Sequence, residues 1–247
     1  CVTNRTTKYG MLAKRIARDS YTVALAHNER PEYGKLYSRM IDVPNMYERP
    51  YAEIMLEFVR QTFDVPITAG DELPRIGIEE RYTGEAMDFL RSSGVPQHTA
   101  LLLNLSAGQP RKRWSEEKYI ALIDMLCDKF DAVILTASPE DSEKATRIFK
   151  QYNNKVYLFH SANIRSLAAL AAQCLMVVTP DTSVVHIAAA ARVPVVTWNS
   201  SIENAVSQWI PNGIPYRAVY TDQYNAEAVP PEEVFKNVNE LYSAIAL

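Results

Sequence analysis

The chain has 247 residues, a formal net charge of −3, 47% hydrophobic and 22% charged residues. That composition predicts a packed globular protein and excludes nucleic acid as a general partner, since phosphate backbones select strongly basic faces. No apolar run reaches the roughly 20 residues that span a bilayer. The most apolar window, 166–179, is broken by Gln173 and Cys174, and no signal-peptide pattern is visible. Cys1, Cys127 and Cys174 are far apart and odd in number, which reads as free thiols in a reducing, cytoplasmic compartment. Cys1 as the lipidated residue of a processed lipoprotein is an alternative resting on that residue alone.

In chain order, Tyr9 to Arg18 predicts a helix, Thr22 to Ala26 a strand and Tyr51 to Phe63 an amphipathic helix. Arg81 to Arg91 predicts another helix, and Ser92-Ser93-Gly94-Val95-Pro96 a hinge. No opening strand with a Gly-rich turn precedes Pro96. Residues 1–95 are therefore expected to be a partial N-terminal domain, and 96–247 a second domain. From Ala100 the pattern is regular. Leu101 to Leu105 is a buried strand, and Ser115 opens a helix with Glu116 and Glu117 in its first turn, where the macrodipole favours negative charge. Ala132 to Thr136 is a strand, Glu140 to Tyr152 a polar helix, and Val156 to Phe159 a strand. Asn163 caps a helix over Ile164 to Gln173, and Leu175 to Thr179 is a strand. Ser183 to Arg192 is a helix and Pro194 to Trp198 the last strand read. Continuously apolar strands alternating with helices predict an α/β fold with a parallel sheet covered on both faces. Such sheets bind ligands at the carboxyl ends of their strands.

Four strand-end loops carry candidate chemistry. In Ser106-Ala107-Gly108-Gln109-Pro110-Arg111-Lys112-Arg113-Trp114, small residues admit a ligand close to the backbone, and three consecutive cations suit a phosphate. The alternative is a solvated basic loop. In Pro180-Asp181-Thr182-Ser183-Val184-Val185-His186, Asp181 or Thr182 caps a helix whose N-terminus is a ready anion site. Ser183 and His186 share one face of that helix. The alternative makes Asp181 and Thr182 plain caps and His186 a core residue. After the second strand of this region, Glu140, with Glu143 in reserve, suits the hydroxyls of a ribose, or else serves only the helix dipole. The stretch Trp198 to Pro211, with Trp209, is a candidate sugar-facing wall. Metal-ligand, Walker and nucleophile-elbow spacings are absent, so no metal and no cofactor are expected.

At these loops the chain resembles glycosyltransferase family 9, the bacterial heptosyltransferases of lipopolysaccharide synthesis. The resemblance is carried by Lys112-Arg113-Trp114, by Asp181-Thr182-Ser183-Val184-Val185-His186-Ile187-Ala188-Ala189-Ala190, by Pro194-Val195-Val196 and by Trp209-Ile210-Pro211. It covers about residues 100–215. It implies a GT-B-type fold, with a Rossmann-like C-terminal donor domain and an incomplete Rossmann-like N-terminal, acceptor-side domain. It also implies sugar transfer, without a bound metal, from a nucleotide-diphosphate sugar, ADP-heptose by type, to a glycolipid or saccharide acceptor of the lipopolysaccharide core. Ser106, Lys112, Thr182, Ser183 and His186 would face the diphosphate, Arg113 would be a further donor-binding residue, and Asp181 would sit beside sugar and phosphates. Glu140 would hold the ribose, and Ser161 and Ala162 would border the adenine. Ser183 stands where the family usually has Gly. The family's general base, an Asp in the first strand–helix loop, is not found and is expected upstream of Cys1. A non-catalytic or truncated nucleotide-sugar-binding module is the alternative. A membrane-bound acceptor would place the protein at the inner face of the inner membrane, where Arg5, Lys8, Arg15 and Arg30 could meet an anionic acceptor.

Overall fold

The computed structural model describes residues 15, 21–26, 35–46, 48–68, 70–161, 163–201 and 207–246. The expected helix Tyr9 to Arg18, but for Arg15, lies outside them, as do Cys1, Arg5, Lys8, Arg30, Ala162 and part of the loop after Trp198. The chain divides into two compact units, 1–72 with 207–209, and 73–206 with 210–247.

In the first unit, β1 (Val23–Leu25) pairs in parallel with β2 (Arg39–Ile41). The helix α1 (Tyr51–Phe63) turns Ile54 and Phe58, four residues apart, inward. They close a small core with Val23, Leu25, Ile41 and Val43. Asp64 ends α1 in the left-handed conformation, with φ of 51°.

The second unit is built on six parallel strands. These are β3 (Leu101–Asn104), β4 (Val133–Thr136), β5 (Val156–Leu158), β6 (Met176–Pro180), β7 (Val195–Trp198) and β8 (Tyr216–Val219). They lie in the order β5-β4-β3-β6-β7-β8. Counted from the first strand of this sheet, that is the 3-2-1-4-5-6 order of dinucleotide-binding folds. β3 is central because Leu101, Leu102 and Leu103 are all fully buried and have neighbours on both sides, Val133–Leu135 and Met176–Val178. Successive strand residues face opposite sides. Leu101 and Leu103 therefore pack with α3 (Glu116–Lys129), α4 (Ser142–Phe149) and α7 (Pro231–Ile245). Leu102 packs on the other face with α2 (Glu80–Ser92), α5 (Ile164–Ala171) and α6 (Ser183–Ala190). Each buried leucine contributes about 1.5–3 kcal/mol, so the sheet is the rigid platform of the unit.

Three sequence expectations change. The polar helix expected over Glu140 to Tyr152 is split into a 3₁₀ turn, Pro139–Asp141, and α4. Pro139 sets a rigid first position, and Ser142 Oγ donates back to the Pro139 carbonyl at 2.8 Å. The expected hinge at Ser92–Pro96 is a helix stop. Gly94 takes φ of +67°, and the Val95 N–H bonds to the Leu90 carbonyl at 2.9 Å, with Val95 buried. Beyond the last expected strand, the chain adds β8 at the sheet edge and α7, which buries Val234, Val238 and Leu241.

Candidate functional site at the carboxyl edge of the sheet

Between β3 and β6 the connections run to opposite sides of the sheet, and the carboxyl ends of the strands splay around a crevice. A cleft of about 430 Å³ occupies this point. Its walls come from the loops after β3 (Asn104, Ser106–Gly108), β4 (Thr136–Glu140), β5 (Ser161) and β6 (Thr182), and from the first turns of α5 and α6. Each central strand is apolar until its last residues, where Asn104, Thr136 and Thr179 appear, all buried. A buried polar residue that ends an apolar strand at a ligand edge is the signal that sequence inspection passed over.

The structure brings five of the expected residues to the cleft: Ser106, Glu140, Ser161, Thr182 and Ser183. Ser106 Oγ accepts the Ser138 N–H at 2.8 Å, tying the β3 and β4 loops together. Thr182 is the N-cap of α6, in extended backbone, with its Oγ accepting the Val184 N–H at 3.3 Å. Ser183, exposed, is the first residue of that helix. The leading N–H groups of a helix have no partner within it and carry about half a positive charge together. The α6 N-terminus thus presents a fixed, uncharged anion receptor to the cleft. Glu140 stands on the 3₁₀ turn after β4.

The other four do not line the cleft. Lys112 Nζ donates to Asp181 Oδ2 at 2.5 Å and to the Asp181 carbonyl at 3.0 Å, and both side chains are about one-fifth exposed. This pair links the β3 and β6 loops. Arg113 is turned back, with Nε on the Ala107 carbonyl at 2.8 Å. His186 is exposed, one turn into α6. Desolvation by its neighbours lowers its pKa below the ordinary 6.5, and the negative charge of Asp181 opposes that shift. Among the described residues, no group of three His, Cys, Asp or Glu side chains is arranged to hold a metal ion. No helix among them is long and apolar enough to cross a membrane.

Sequence inspection also missed the apolar side of the cleft. Ile164, 59% exposed, and Leu167 extend from α5 beside Ser161. Asn163 caps α5 as expected, accepting from the Arg165 and Ser166 N–H groups. Trp114 is no part of the cleft. It is 3% exposed, stacks on Trp198 with centroids 4.2 Å apart, and donates Nε1 to the Ala226 carbonyl at 2.8 Å. In the first unit, Trp209 stacks on Tyr51 at 4.9 Å.

Residues 11–203 match the profile of glycosyltransferase family 9 (heptosyltransferase), which is well over half of the chain. The chain belongs to glycosyltransferase family 9. Its fold is α/β of the GT-B type shared by its structural neighbours. A family 9 glycosyltransferase from Veillonella parvula superposes with a TM-score of 0.71 at 16% identity, over 95% of this chain and 78% of that one. ADP-heptose lipopolysaccharide heptosyltransferase II of E. coli gives a TM-score of 0.65 at 18% identity, over 100% of this chain and 76% of that one. The E. coli heptosyltransferase WaaC with ADP gives 0.68 at 18% identity, over 96% and 70%. Comparison of the sequence with curated proteins finds no match.

Proposed function

We propose that this family 9 chain transfers a heptose from an ADP-linked donor to an acceptor of the lipopolysaccharide-core type, with inversion and without a bound metal. The observation that carries the reading is the cleft at the switch point of the sheet, where the capped α6 N-terminus and the Ser106 loop form one end and the Ile164 surface the other. A nucleoside diphosphate has the matching polarity, anionic at one end and a flat ring at the other. The diphosphate would meet the N–H groups of α6, with Thr182, Ser183 and Lys112 near it. Glu140 would accept hydrogen bonds from the ribose, and the base would lie on Ile164 and Leu167 beside Ser161. Two of the similar solved structures hold ADP and ADP-2-deoxy-2-fluoro heptose.

In this reading an acceptor hydroxyl, deprotonated by a carboxylate, attacks the anomeric carbon, and the nucleoside diphosphate leaves. The charge that grows on the leaving phosphate would be met by the α6 N-terminus, already in place before reaction, with Lys112 held on Asp181 next to the Thr182 cap. The second unit, from Leu73 onward, would supply the donor side and the first unit the acceptor side. The acceptor, a glycolipid or its saccharide, would hold the protein at the cytoplasmic face of the inner membrane by peripheral contact.

The test is thermal unfolding with ADP, UDP, GDP and their sugar conjugates, followed by a transfer assay. A ligand that binds only the folded chain stabilises it by about 2.7 kcal/mol at a hundredfold excess over its dissociation constant. A rise with ADP and ADP-heptose alone supports the donor site, and no rise with any nucleotide refutes it. Binding of ADP-heptose without transfer to a core saccharide would make the protein a nucleotide-sugar-binding module instead.

A further inference from the structure

Asn104 ends β3 and is 4% exposed. Its carboxamide makes three hydrogen bonds. Nδ2 donates to the Ser106 carbonyl and to Thr179 Oγ1, each at 3.0 Å, and Oδ1 accepts the Ser106 N–H at 3.2 Å. Asn104 therefore holds the backbone of Ser106 on both its N–H and its carbonyl, and reaches across to β6.

Counting protons fixes the direction of the rest. A hydroxyl has one hydrogen to give. Thr179 gives its own to the Pro180 carbonyl at 2.9 Å. Thr179 Oγ1 must therefore accept from Asn104 and, at 3.4 Å, from the Thr182 hydroxyl. With its hydrogen used there, Thr182 Oγ1 keeps its lone pairs for the Val184 N–H and caps α6. A single polar chain thus runs from Asn104 through Thr179 to the N-cap of α6, and from Asn104 to the Ser106 backbone, whose side-chain Oγ accepts the Ser138 N–H. It joins the loops after β3, β4 and β6, which are three walls of the cleft.

We propose that Asn104 is a positioning residue for the diphosphate half of the donor site. It acts from the wall of the cleft through the Ser106 loop and the Thr182 cap. The inference rests on the donor-site reading above. A carboxamide suits the role because it offers donors and an acceptor on one rigid plane. Aspartate has the same shape but would set a second oxygen against the Ser106 carbonyl. The base end of the cleft, at Ile164 and Leu167, belongs to α5 and, among the described residues, has no hydrogen bond to this chain of groups, so it is independent of Asn104.

That independence supplies the test. Affinities of the purified full chain for ADP and for adenosine are measured by calorimetry in wild type, Asn104→Ala, Asn104→Asp, Thr179→Val and Thr179→Ser, with circular dichroism to confirm folding. ADP affinity should fall roughly tenfold or more in the Asn104 variants and in Thr179→Val, while adenosine affinity stays within about threefold. Thr179→Ser, which keeps the hydroxyl, should restore ADP binding. The double variant Asn104→Ala with Thr179→Val should be no weaker than the weaker single one, because both cut the same chain. Equal losses for ADP and adenosine, or ADP affinity unchanged in a folded Asn104→Ala or Thr179→Val chain, would overturn the inference while leaving the donor site standing. If Asn104→Ala does not fold, the contrast between Thr179→Val and Thr179→Ser decides alone. Failure of wild type to bind ADP would bring down the donor-site reading, and this inference with it.

Discussion

Replacing Lys112 by alanine separates two roles that the geometry gives this side chain. Its ammonium is 2.5 Å from the Asp181 carboxylate and 3.0 Å from the Asp181 carbonyl, with about a fifth of each side chain exposed. Exposed pairs are worth about 0.2–1 kcal/mol, while breaking a fully buried one costs about 3–5 kcal/mol. The intermediate exposure places the loss near 2 kcal/mol, or about 4–8 °C in melting temperature for a domain of this size. An ammonium has three N–H donors, and Asp181 takes two. The third remains for a diphosphate oxygen, so Lys112 need not leave Asp181 to meet the donor. A charge-assisted hydrogen bond contributes about 1.5–3 kcal/mol, which predicts an ADP affinity at least about tenfold weaker in Lys112→Ala, with a shallower dependence on salt. Asp181→Asn keeps the backbone carbonyl that holds Lys112 and removes the carboxylate charge beside it. It should destabilise the fold while ADP affinity stays level or rises. Calorimetry at two salt concentrations reads both variants. ADP affinity unchanged in Lys112→Ala, or lost equally in Asp181→Asn, would refute this account of the pair.

Three further outcomes are expected. Trp114→Ala should destabilise the chain by about 3–5 kcal/mol in denaturant unfolding, because Trp114 is packed on Trp198 and hydrogen-bonded to Ala226. A surface loop residue would move the transition hardly at all. The Cys174 thiol is pushed up to about 12 by burial. It should resist alkylation at pH 8 in the folded chain and react on unfolding, as mass spectrometry of labelled peptides can show. Its folded pKa lies above the unfolded value, so its share of stability is intact below about pH 8.5 and is lost as pH rises toward 12. His186 has the opposite sign. Its pKa is lowered by desolvation, so stability is lost as pH falls below about 6.5. The imidazole proton resonances should titrate below the free value, and lower still in Asp181→Asn, which removes the charge that opposes the shift.

Most of the second unit was legible because its signals are local. The central strands are runs of three apolar residues, fully buried on both faces, and that pattern has one common cause, a covered parallel sheet. The edge strand β8 was missed because it has only one neighbour. Its residues Tyr216–Val219 are exposed or half-buried, so nothing in them reads as an interior strand. The helix α7 carries the spacing Val234, Val238, Leu241 and begins at Pro231, a favourable first position. That spacing is readable from the sequence alone, unlike the edge strand before it. The strand β1 lies within the apolar run Thr22 to Ala26 and is read from it, whereas β2, three residues long and graded from exposed to buried, offers no period to declare itself.

The candidate site was legible by residue type and not by direction. Arg111-Lys112-Arg113 reads as a single basic patch on a phosphate loop, yet the chain takes a 3₁₀ turn over Pro110–Lys112. With three residues per turn, consecutive side chains point about 120° apart. Each cation therefore finds its own acceptor: Arg111 on Gln109, Lys112 on Asp181 and Arg113 on the Ala107 carbonyl. Only Lys112 crosses to the β6 loop, and its partner lies 69 residues away in sequence. No spacing rule reaches that far, because the sheet order brings β3 and β6 together. The same order explains why Asn104 was overlooked while Thr182 was found. A cap is recognised from the helix that follows it, whereas Asn104 acquires its meaning only when Thr179 is placed on the adjacent strand.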